Sequence, residues 1–233
     1  DAGALAIGSA GMSPQPVSDR TASEYLVASF NLERFFDTAD DPAKDDAVLT
    51  ATAYANRLAK ASLIVRDYLR APEIVGVQEA ENLKVLQDLA ATIDADAVAA
   101  GQPAPGYQAF LEEGNDIGVI DVGVLVRSNV TVHSVTQWRK EETFIDPSDG
   151  SADLLNDRPT LVLDATVVGP ADRLPAQVVV VINHLRSLNG VDTAADGPRV
   201  RAKRKAQAES VAQLLIDLQN QYPGVPIVSV GDY

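Results

Sequence analysis

The stretch VVVVINHLRSLNG, Val178–Gly190, decides the fold class. Four valines followed by an isoleucine are typical of a strand that is buried on both faces, because β-branched side chains favour extended backbone and pack well within a sheet. The run leads into Asn183 and His184, the second of two histidines in the chain. We therefore predict a central strand of an inner sheet, which ends in polar side chains.

The sequence on either side of this stretch alternates between strand and helix patterns. Near the start we predict a strand over 21–31, a helix over 47–69, a strand in PEIVGVQEA and a helix in NLKVLQDLAATI. The middle reads as successive strands, in YQAFL, DVGVLVRS, VTVHSVTQW, PTLVLDATVV and QVVVVIN. A helix over 200–219 and a strand in VPIVSV follow. This order favours a mixed α/β domain with two packed sheets and helices outside.

Composition narrows the function classes. The 233 residues carry a formal net charge of -14, which argues against non-specific binding of nucleic acid through a basic surface but is compatible with cation binding. The chain has no cysteine, so disulfides and thiolate metal sites are excluded. We predict no membrane span and no stable protein partner. Residues 1–22, rich in Ala, Gly, Ser and Pro, are expected to form a flexible leader before one domain over 23–233.

Polar residues stand at the ends of four predicted strands: Asn31, Glu79, His184 and Asp232. Each alone has an ordinary explanation as a turn residue, a helix cap or a structural histidine. Ligands bind at strand ends in open α/β sheets, and together these residue types suit one hard divalent cation with a phosphate beside it.

The chain resembles the endonuclease/exonuclease/phosphatase superfamily, which includes the deoxyribonucleases. The resemblance rests on six segments that occur in the family's order over about residues 24–233: ASFNLERFF, IVGVQEAEN, DVGVLVRS, NDRPTLVLDA, VVVINHLRSL and VSVGDY. Within the family, FNLERFFD, the DRP segment and NHLRS are most similar to large exported bacterial nucleases. The resemblance implies a four-layer α/β/β/α sandwich of two packed mixed sheets, with the active site at one end.

The resemblance also implies a role for each site residue. Glu79 is expected to bind the metal and Asn31 to support both the metal and catalysis. His184 is expected to contact the scissile phosphate, and Asp232 to help position the nucleophile and the metal. Arg158, Asn183 and Ser187 are expected near the substrate phosphates. The implied cofactor is Mg²⁺, with Mn²⁺ or Ca²⁺ as alternatives.

The family pattern continues beyond the GD motif with an asparagine and a final Asp-His pair, which this sequence does not contain. We therefore expect the domain to be C-terminally incomplete over these 233 residues, with little or no hydrolysis by this segment alone. The other histidine, His133, lies within a predicted strand and is expected to be structural or exposed.

Three functions stay open at this level. The first is a metal-dependent phosphodiesterase, most readily a nuclease acting on DNA or RNA. The second is a phosphatase or lipid phosphodiesterase of the same fold, of the inositol phosphate or sphingomyelin type, and the third is a catalytically incomplete binding domain. The basic segment RVRAKRK, Arg199–Lys205, is either a solvated helix face or a patch that follows substrate phosphates. The composition and the resemblance favour an extracellular or periplasmic location.

Overall fold

The computed structural model describes residues 14–21, 24–42, 44, 46–169 and 174–233. Its strands and helices, in chain order, are β1 (Val27–Phe35), α1 (Ala51–Leu63), β2 (Ile74–Ala80), α2 (Leu83–Ala99), β3 (Gln108–Leu111), β4 (Asp121–Val126), β5 (Val130–Trp138), β6 (Thr143–Ile145), β7 (Ala152–Leu154), β8 (Thr160–Val167), β9 (Ala176–His184), α3 (Gly197–Gln221) and β10 (Ile227–Asp232).

The strands form two four-stranded sheets and a small hairpin. The first sheet has the order β1-β2-β4-β3, with β1 parallel to β2 and the other pairs antiparallel. The second sheet has the order β10-β9-β8-β5, with β10 parallel to β9. Among the described residues, β6 and β7 pair with each other and with no further strand, and this hairpin was not predicted. Both sheets are mixed, as the sequence suggested.

Three apolar clusters define four layers. One cluster fills the space between the sheets, with Ile74 and Val124 of the first sheet facing Leu163 and Ile182 of the second. The helices α1 and α2 cover the outer face of the first sheet, and α3 covers the outer face of the second through Leu214. The predicted α/β/β/α sandwich is confirmed.

A glycine lets the two sheets approach closely beneath the polar strand ends. A Cβ atom on Gly76 of β2 would lie 2.7 Å from Val230 Cγ2 and 3.0 Å from Ile182 Cγ1. Any larger residue would push the sheets apart at this level. Gly76 therefore helps to bring the ends of β1, β2, β9 and β10 together.

The predicted central strand is confirmed as β9, which lies between β8 and β10 and is buried from Val178 to His184. Several predicted boundaries were wrong, among them the end of α2, which continues to Ala99 beyond the predicted end at Ile93. β1 runs to Phe35 rather than ending near Asn31, and α1 begins at Ala51 because the Thr50 hydroxyl caps the helix by accepting from Ala53 N–H at 3.2 Å. After Leu63 the helix continues as one π-helical turn, Ile64–Tyr68.

The basic segment of α3 is largely engaged within the protein. Lys203 is 2% exposed and pairs with Asp157 at 2.7 and 2.8 Å, while Arg199 pairs with Asp146 and Asp153 at 2.7 and 2.8 Å. These ion pairs join α3 to the segment 146–157. The basic segment is therefore neither a fully solvated helix face nor a continuous phosphate-binding patch.

Part of the predicted leader lies outside the described residues. Residues 14–21 form no helix or strand, but Val17 N–H donates to Tyr68 O at 2.9 Å, and Arg20 forms an ion pair with the buried Glu73. No helix in the described ranges combines the length and the hydrophobicity that a membrane crossing requires.

Candidate active site

Four polar side chains from the two sheets converge at one end of the sandwich. Asn31 Nδ2 lies 3.0 Å from Glu79 Oε1 and 3.2 Å from Asp232 Oδ2, so it bridges β2 and β10. His184 Nε2 lies 3.6 Å from Glu79 Oε1. The structure therefore brings together the four residues that the sequence analysis selected at separate strand ends.

A β-bulge aims Glu79 into this cluster. Glu79 has a φ of 63°, in the left-handed region, and the pairing of β2 with β4 shifts register between Gln78 and Ala80. Regular alternation would place Glu79 on the helix-covered face, next to the outward-facing Val77. The bulge inserts an extra residue and redirects this side chain, a device that is common beside active sites.

Asn31 is oriented by the kink that follows it in β1. Its Oδ1 accepts from Glu33 N–H at 2.8 Å, so the amide nitrogen must be the atom that faces the carboxylates. Glu33 and Arg34 both have left-handed φ values, 55° and 56°. In this arrangement Asn31 orients Glu79 and Asp232 by donating to them, whereas direct ligation of a cation would require its oxygen to face them.

The position of Asp232 depends on the glycine that precedes it in β10. Gly231 has a φ of 142°, and a Cβ there would lie 2.0 Å from the carbonyl oxygen of Asn183. No other residue type fits so close to the β9 backbone. Leu185 N–H also donates to Asp232 O at 2.9 Å, which holds this end of β10 against β9.

His184 is buried, with 7% of its surface exposed. Burial lowers the pKa of its imidazole, and the positive charge of Arg158 lowers this pKa further, while Glu79 and Asp232 oppose the shift. These effects favour the neutral ring, which carries one N–H donor and one acceptor. Its Nδ1 is buried and has no hydrogen-bond partner among the described residues.

Arg158 holds the segment that follows His184. Its Nη2 donates to Leu185 O at 3.1 Å, its Nε lies 3.4 Å from His184 O, and its Nη1 pairs with Asp116 at 3.1 Å. All three nitrogens of the guanidinium therefore have partners within the protein. Its predicted contact with a substrate phosphate stays a prediction.

Asn183 points away from the cluster. Neighbouring residues of a strand face opposite sides, and Asn183 lies on the α3 side of the sheet with none of its surface exposed. Its Oδ1 accepts from Thr160 Oγ1 at 2.8 Å, and its Nδ2 lies 3.1 Å from Ser229 Oγ and 3.2 Å from Tyr233 OH. The structure does not bring Asn183 to the site, because its amide is used in contacts with β8 and with the end of β10.

Ser187 is exposed in the loop after β9, where its hydroxyl accepts from Arg186 Nη1 at 2.7 Å. It lies outside the four-residue cluster, and its predicted phosphate contact is untested. His133 is exposed on β5 and its Nε2 lies 2.8 Å from Thr166 Oγ1, which agrees with the structural or exposed role expected for it.

The cluster has a donor set that suits a divalent cation. Ligand atoms of Glu79, His184 and Asp232 all lie within 4.8 Å of one another. Two carboxylates suit a hard cation such as Mg²⁺, which keeps several waters and takes only one or two protein carboxylates, so His184 need not be a ligand. The residues present therefore fit the metal that the resemblance implies.

Sequence reasoning missed Asp116 and Arg57. Asp116 pairs with Arg158, and Arg57 of α1 donates to three backbone carbonyls of the β1 kink, those of Leu32, Glu33 and Arg34. Neither residue lies at a strand end or in a motif. The kink that Arg57 recognises has no signature in the sequence, because it consists of ordinary residues in a left-handed conformation.

Comparisons with known proteins identify the family of the chain and structures with a similar fold. A model of the endonuclease/exonuclease/phosphatase family matches residues 26–233. No curated protein matches the chain in sequence. Mannosyl-6-phosphatase Bt3783 of Bacteroides thetaiotaomicron has a similar structure, with a TM-score of 0.51 and 13% identity over 90% of this chain and 65% of that chain.

Two further solved structures are similar. A family protein of Bacteroides thetaiotaomicron gives a TM-score of 0.50 at 16% identity, over 88% of this chain and 62% of that chain. Truncated TDP2 of Caenorhabditis elegans gives 0.48 at 19% identity, over 88% of this chain and 60% of that chain. The chain thus spans less than two thirds of the length of these structures, and at such identities the likeness concerns the fold alone.

The particular similarity to exported bacterial nucleases stays a prediction. The family match covers both sheets, all four converging side chains and the helices on either side. The chain therefore belongs to the endonuclease/exonuclease/phosphatase family, whose members hydrolyse phosphoric esters and generally depend on a divalent metal ion.

Proposed function

We propose that the protein is a Mg²⁺-dependent phosphodiesterase that acts as a nuclease on DNA or RNA, with Mn²⁺ or Ca²⁺ as alternative cations. The observation that supports this proposal best is the convergence of Asn31, Glu79, His184 and Asp232 at the facing ends of two sheets. The two carboxylates, oriented by the bridging amide, suit a divalent cation. This cation and the buried imidazole together suit an anionic phosphate ester.

Each side chain has a distinct task in this proposal. Glu79 and Asp232 hold the cation, and Asn31 keeps both carboxylates oriented by donating to them. When bound, the cation supplies Lewis-acid stabilisation of the charge on the phosphoryl oxygens. Burial and Arg158 lower the pKa of the His184 imidazole, and the neutral ring still carries one N–H, which donates to a phosphoryl oxygen as negative charge develops there.

The proposal is tested with full-length protein by Mg²⁺-dependent cleavage of supercoiled plasmid DNA. Glu79→Gln removes one of the two carboxylates and is expected to lower the rate by about 100-fold or more, since metal stabilisation supplies several kcal/mol. His184→Ala is expected to lower kcat by about 10²–10³-fold, the usual effect of removing one donor to a developing oxyanion.

Matched controls exist in the same chain. His133→Ala removes the other histidine, and Glu141→Gln makes the same change at an exposed glutamate. Both controls are expected to cleave like the wild type. Wild-type rates in Glu79→Gln and His184→Ala would overturn the assignment of these residues.

The alternative ester chemistry is examined in parallel. Because a mannosyl-6-phosphatase shares the fold, mannose 6-phosphate serves as a monoester probe beside inositol phosphates and sphingomyelin. Release of phosphate or phosphocholine from these probes without DNA or RNA cleavage would favour the phosphatase or lipid phosphodiesterase. Binding without any hydrolysis would favour the incomplete binding domain.

The extracellular or periplasmic location also stays part of the proposal, supported by the composition and the resemblance. Fractionation of the producing cells followed by immunodetection tests it, with the protein expected in the periplasm or the medium. Recovery from the cytoplasm alone would contradict this location.

A further inference from the structure

A basic pocket of about 350 Å³ lies beside the candidate active site. Four cationic side chains and two carboxylates contribute to its wall: Arg158, Arg186, Arg199, Lys203, Asp116 and Asp157. We call this space the basic pocket. It is notable on a chain with a formal net charge of -14, where positive potential is scarce.

Both carboxylates of the basic pocket are neutralised by cations of the same wall. Asp116 pairs with Arg158 at 3.1 Å, and Asp157 accepts both of its bonds from Lys203, at 2.7 and 2.8 Å. These two pairs cancel in charge. The remaining charge of the pocket therefore depends on the other two arginines.

Arg199 and Arg186 differ in their partners. Arg199 is neutralised from outside the pocket by Asp146 and Asp153. Arg186 donates to Ser187 Oγ at 2.7 Å and lies 3.4 Å from Asn189 O, and within the described ranges it has no carboxylate partner. Its positive charge is thus the one that the surrounding protein leaves uncompensated in this pocket.

The backbone of Arg186 is held rigidly by α3. Its N–H donates to Gln207 Oε1 at 2.8 Å, and its carbonyl accepts from Arg204. Gln207 is 2% exposed and is itself fixed by donating to Leu155 O at 3.0 Å. A buried glutamine and an arginine of the basic segment therefore fix the backbone from which the Arg186 guanidinium extends.

The basic pocket adjoins the four-residue cluster through Arg158 and the chain itself. Arg158 lines the pocket and holds the backbone of His184 and Leu185. Arg186 follows His184 by two residues, a separation that spans at most about 7 Å of extended chain. The position of Arg186 in the chain therefore allows its long side chain to reach a phosphate next to one bound at the cluster.

We propose that Arg186 binds a second phosphate of the substrate, adjacent to the scissile one, with the Ser187 hydroxyl beside it. This inference rests on the proposed nuclease function and deepens it, because only a substrate with several phosphates can fill both positions. A guanidinium suits phosphate by offering two parallel donors, and the neutral oxygens of Ser187 and Asn189 are weak partners that a phosphate can replace.

The test measures the binding of a fluorescent phosphorothioate oligonucleotide, which resists hydrolysis, to the full-length protein at fixed Mg²⁺ and increasing salt. Arg186→Gln is expected to weaken binding about tenfold and to reduce the slope of log K against log salt by about 0.7–0.9, the contribution of one phosphate contact. Arg186→Lys keeps the charge and is expected to retain the slope with weaker affinity.

Arg201→Gln is the matched control, because it removes the same charge from an exposed site of α3 whose guanidinium donates to Val191 O. It is expected to keep the wild-type slope. Equal slope changes in Arg186→Gln and Arg201→Gln would overturn the subsite, as would an unchanged slope in Arg186→Gln. Arg186→Lys preserves the charge, so a reduced slope of log K against log salt in this variant would also overturn the subsite.

Hydrolysis separates this inference from the function on which it rests. The loss of kcat/KM in Arg186→Gln is expected to be larger for an oligonucleotide than for bis(p-nitrophenyl) phosphate, which has a single phosphodiester. Equal losses would overturn the second-phosphate subsite while leaving a phosphodiesterase. If the wild type binds the oligonucleotide through Arg186 yet hydrolyses no phosphodiester, the subsite stands and the proposed function fails.

Discussion

Asn31 and Asp232 are 201 residues apart in sequence, yet Asn31 Nδ2 lies 3.2 Å from Asp232 Oδ2 across the two sheets. The same amide nitrogen lies 3.0 Å from Glu79 Oε1. One side chain therefore fixes the distance between two carboxylates that belong to different sheets. A cation site built in this way depends on the packing of the sheets as much as on its own ligands.

Replacing Asn31 by alanine is expected to weaken divalent-metal binding by about 10–100-fold, the usual effect of losing a partner that orients metal ligands. The two carboxylates lose their shared donor and repel each other without it. Calorimetric titration of the full-length protein with MgCl₂ or MnCl₂ measures the change. Asn220→Ala, at an exposed position of α3, is the control and is expected to bind metal normally. Unaltered metal affinity in Asn31→Ala would contradict the bridging role.

Arg57 is expected to position Asn31 indirectly, through the backbone kink of β1. It donates to Leu32 O at 2.7 Å and to Glu33 O at 2.6 Å, and so holds the kink whose N–H fixes the Asn31 amide. Arg57→Ala removes the donor to these two carbonyls and to Arg34 O. The contacts of Glu33 O and Arg34 O are exposed, so these carbonyls can bind water instead, and the free energy of unfolding is expected to fall by about 0.5–1.5 kcal/mol. Metal affinity is expected to fall as well, because the kink is no longer held.

Lys60→Ala is the matched control, since Lys60 is an exposed cation one turn further along α1. Urea unfolding and metal titration of both variants provide the comparison. A loss of stability in Arg57→Ala with unchanged metal affinity would make its role purely structural.

The fold was largely predictable because its determinants are local. The uninterrupted apolar run Val178–Ile182 identified the central strand, and the strand and helix patterns around it gave the layers. The four residues of the cluster were predictable because each comes shortly after an apolar run in the sequence. Their side-chain directions were not, since Glu79 is aimed by a bulge and Asn31 by a kink, and both involve left-handed backbone at residues other than glycine.

The ion pairs of the basic segment could not be predicted from the sequence. RVRAKRK reads as an uncompensated basic segment, but the carboxylates that neutralise Lys203 and Arg199 lie about 50 residues earlier in the chain. The arginine left uncompensated, Arg186, lies outside that segment. Long-range ion pairing depends on tertiary contacts, so composition within one segment does not predict it.

Asn183 is expected to act on stability. Asn183→Ala leaves the buried Thr160 hydroxyl without its acceptor, whereas Ser229 and Tyr233 are exposed and still contact each other, so the free energy of unfolding is expected to fall by about 1–3 kcal/mol. Chemical denaturation measures this loss, with Asn220→Ala as the exposed control. An unchanged midpoint together with a raised KM would instead support the phosphate contact that the resemblance implied.

Asp121 is expected to make stability depend on pH. Burial, together with the negative charge of Glu113, raises the pKa of its carboxyl to about 7 from an ordinary value of 3.8. The folded state therefore holds this proton more tightly than the unfolded chain, so the contribution of Asp121 to stability is complete below about pH 4 and is lost as the pH rises towards 7.

Asp121→Asn keeps the oxygen that accepts from Gly114 N–H at 2.7 Å and carries no charge. At pH 8 this variant is expected to be more stable than the wild type, by at most about 4 kcal/mol, and the difference should shrink towards pH 4. Thermal unfolding between pH 4 and 8 measures it beside the exposed control Asp192→Asn, and a variant that tracks the wild type at every pH would show that Asp121 is ionised at no cost.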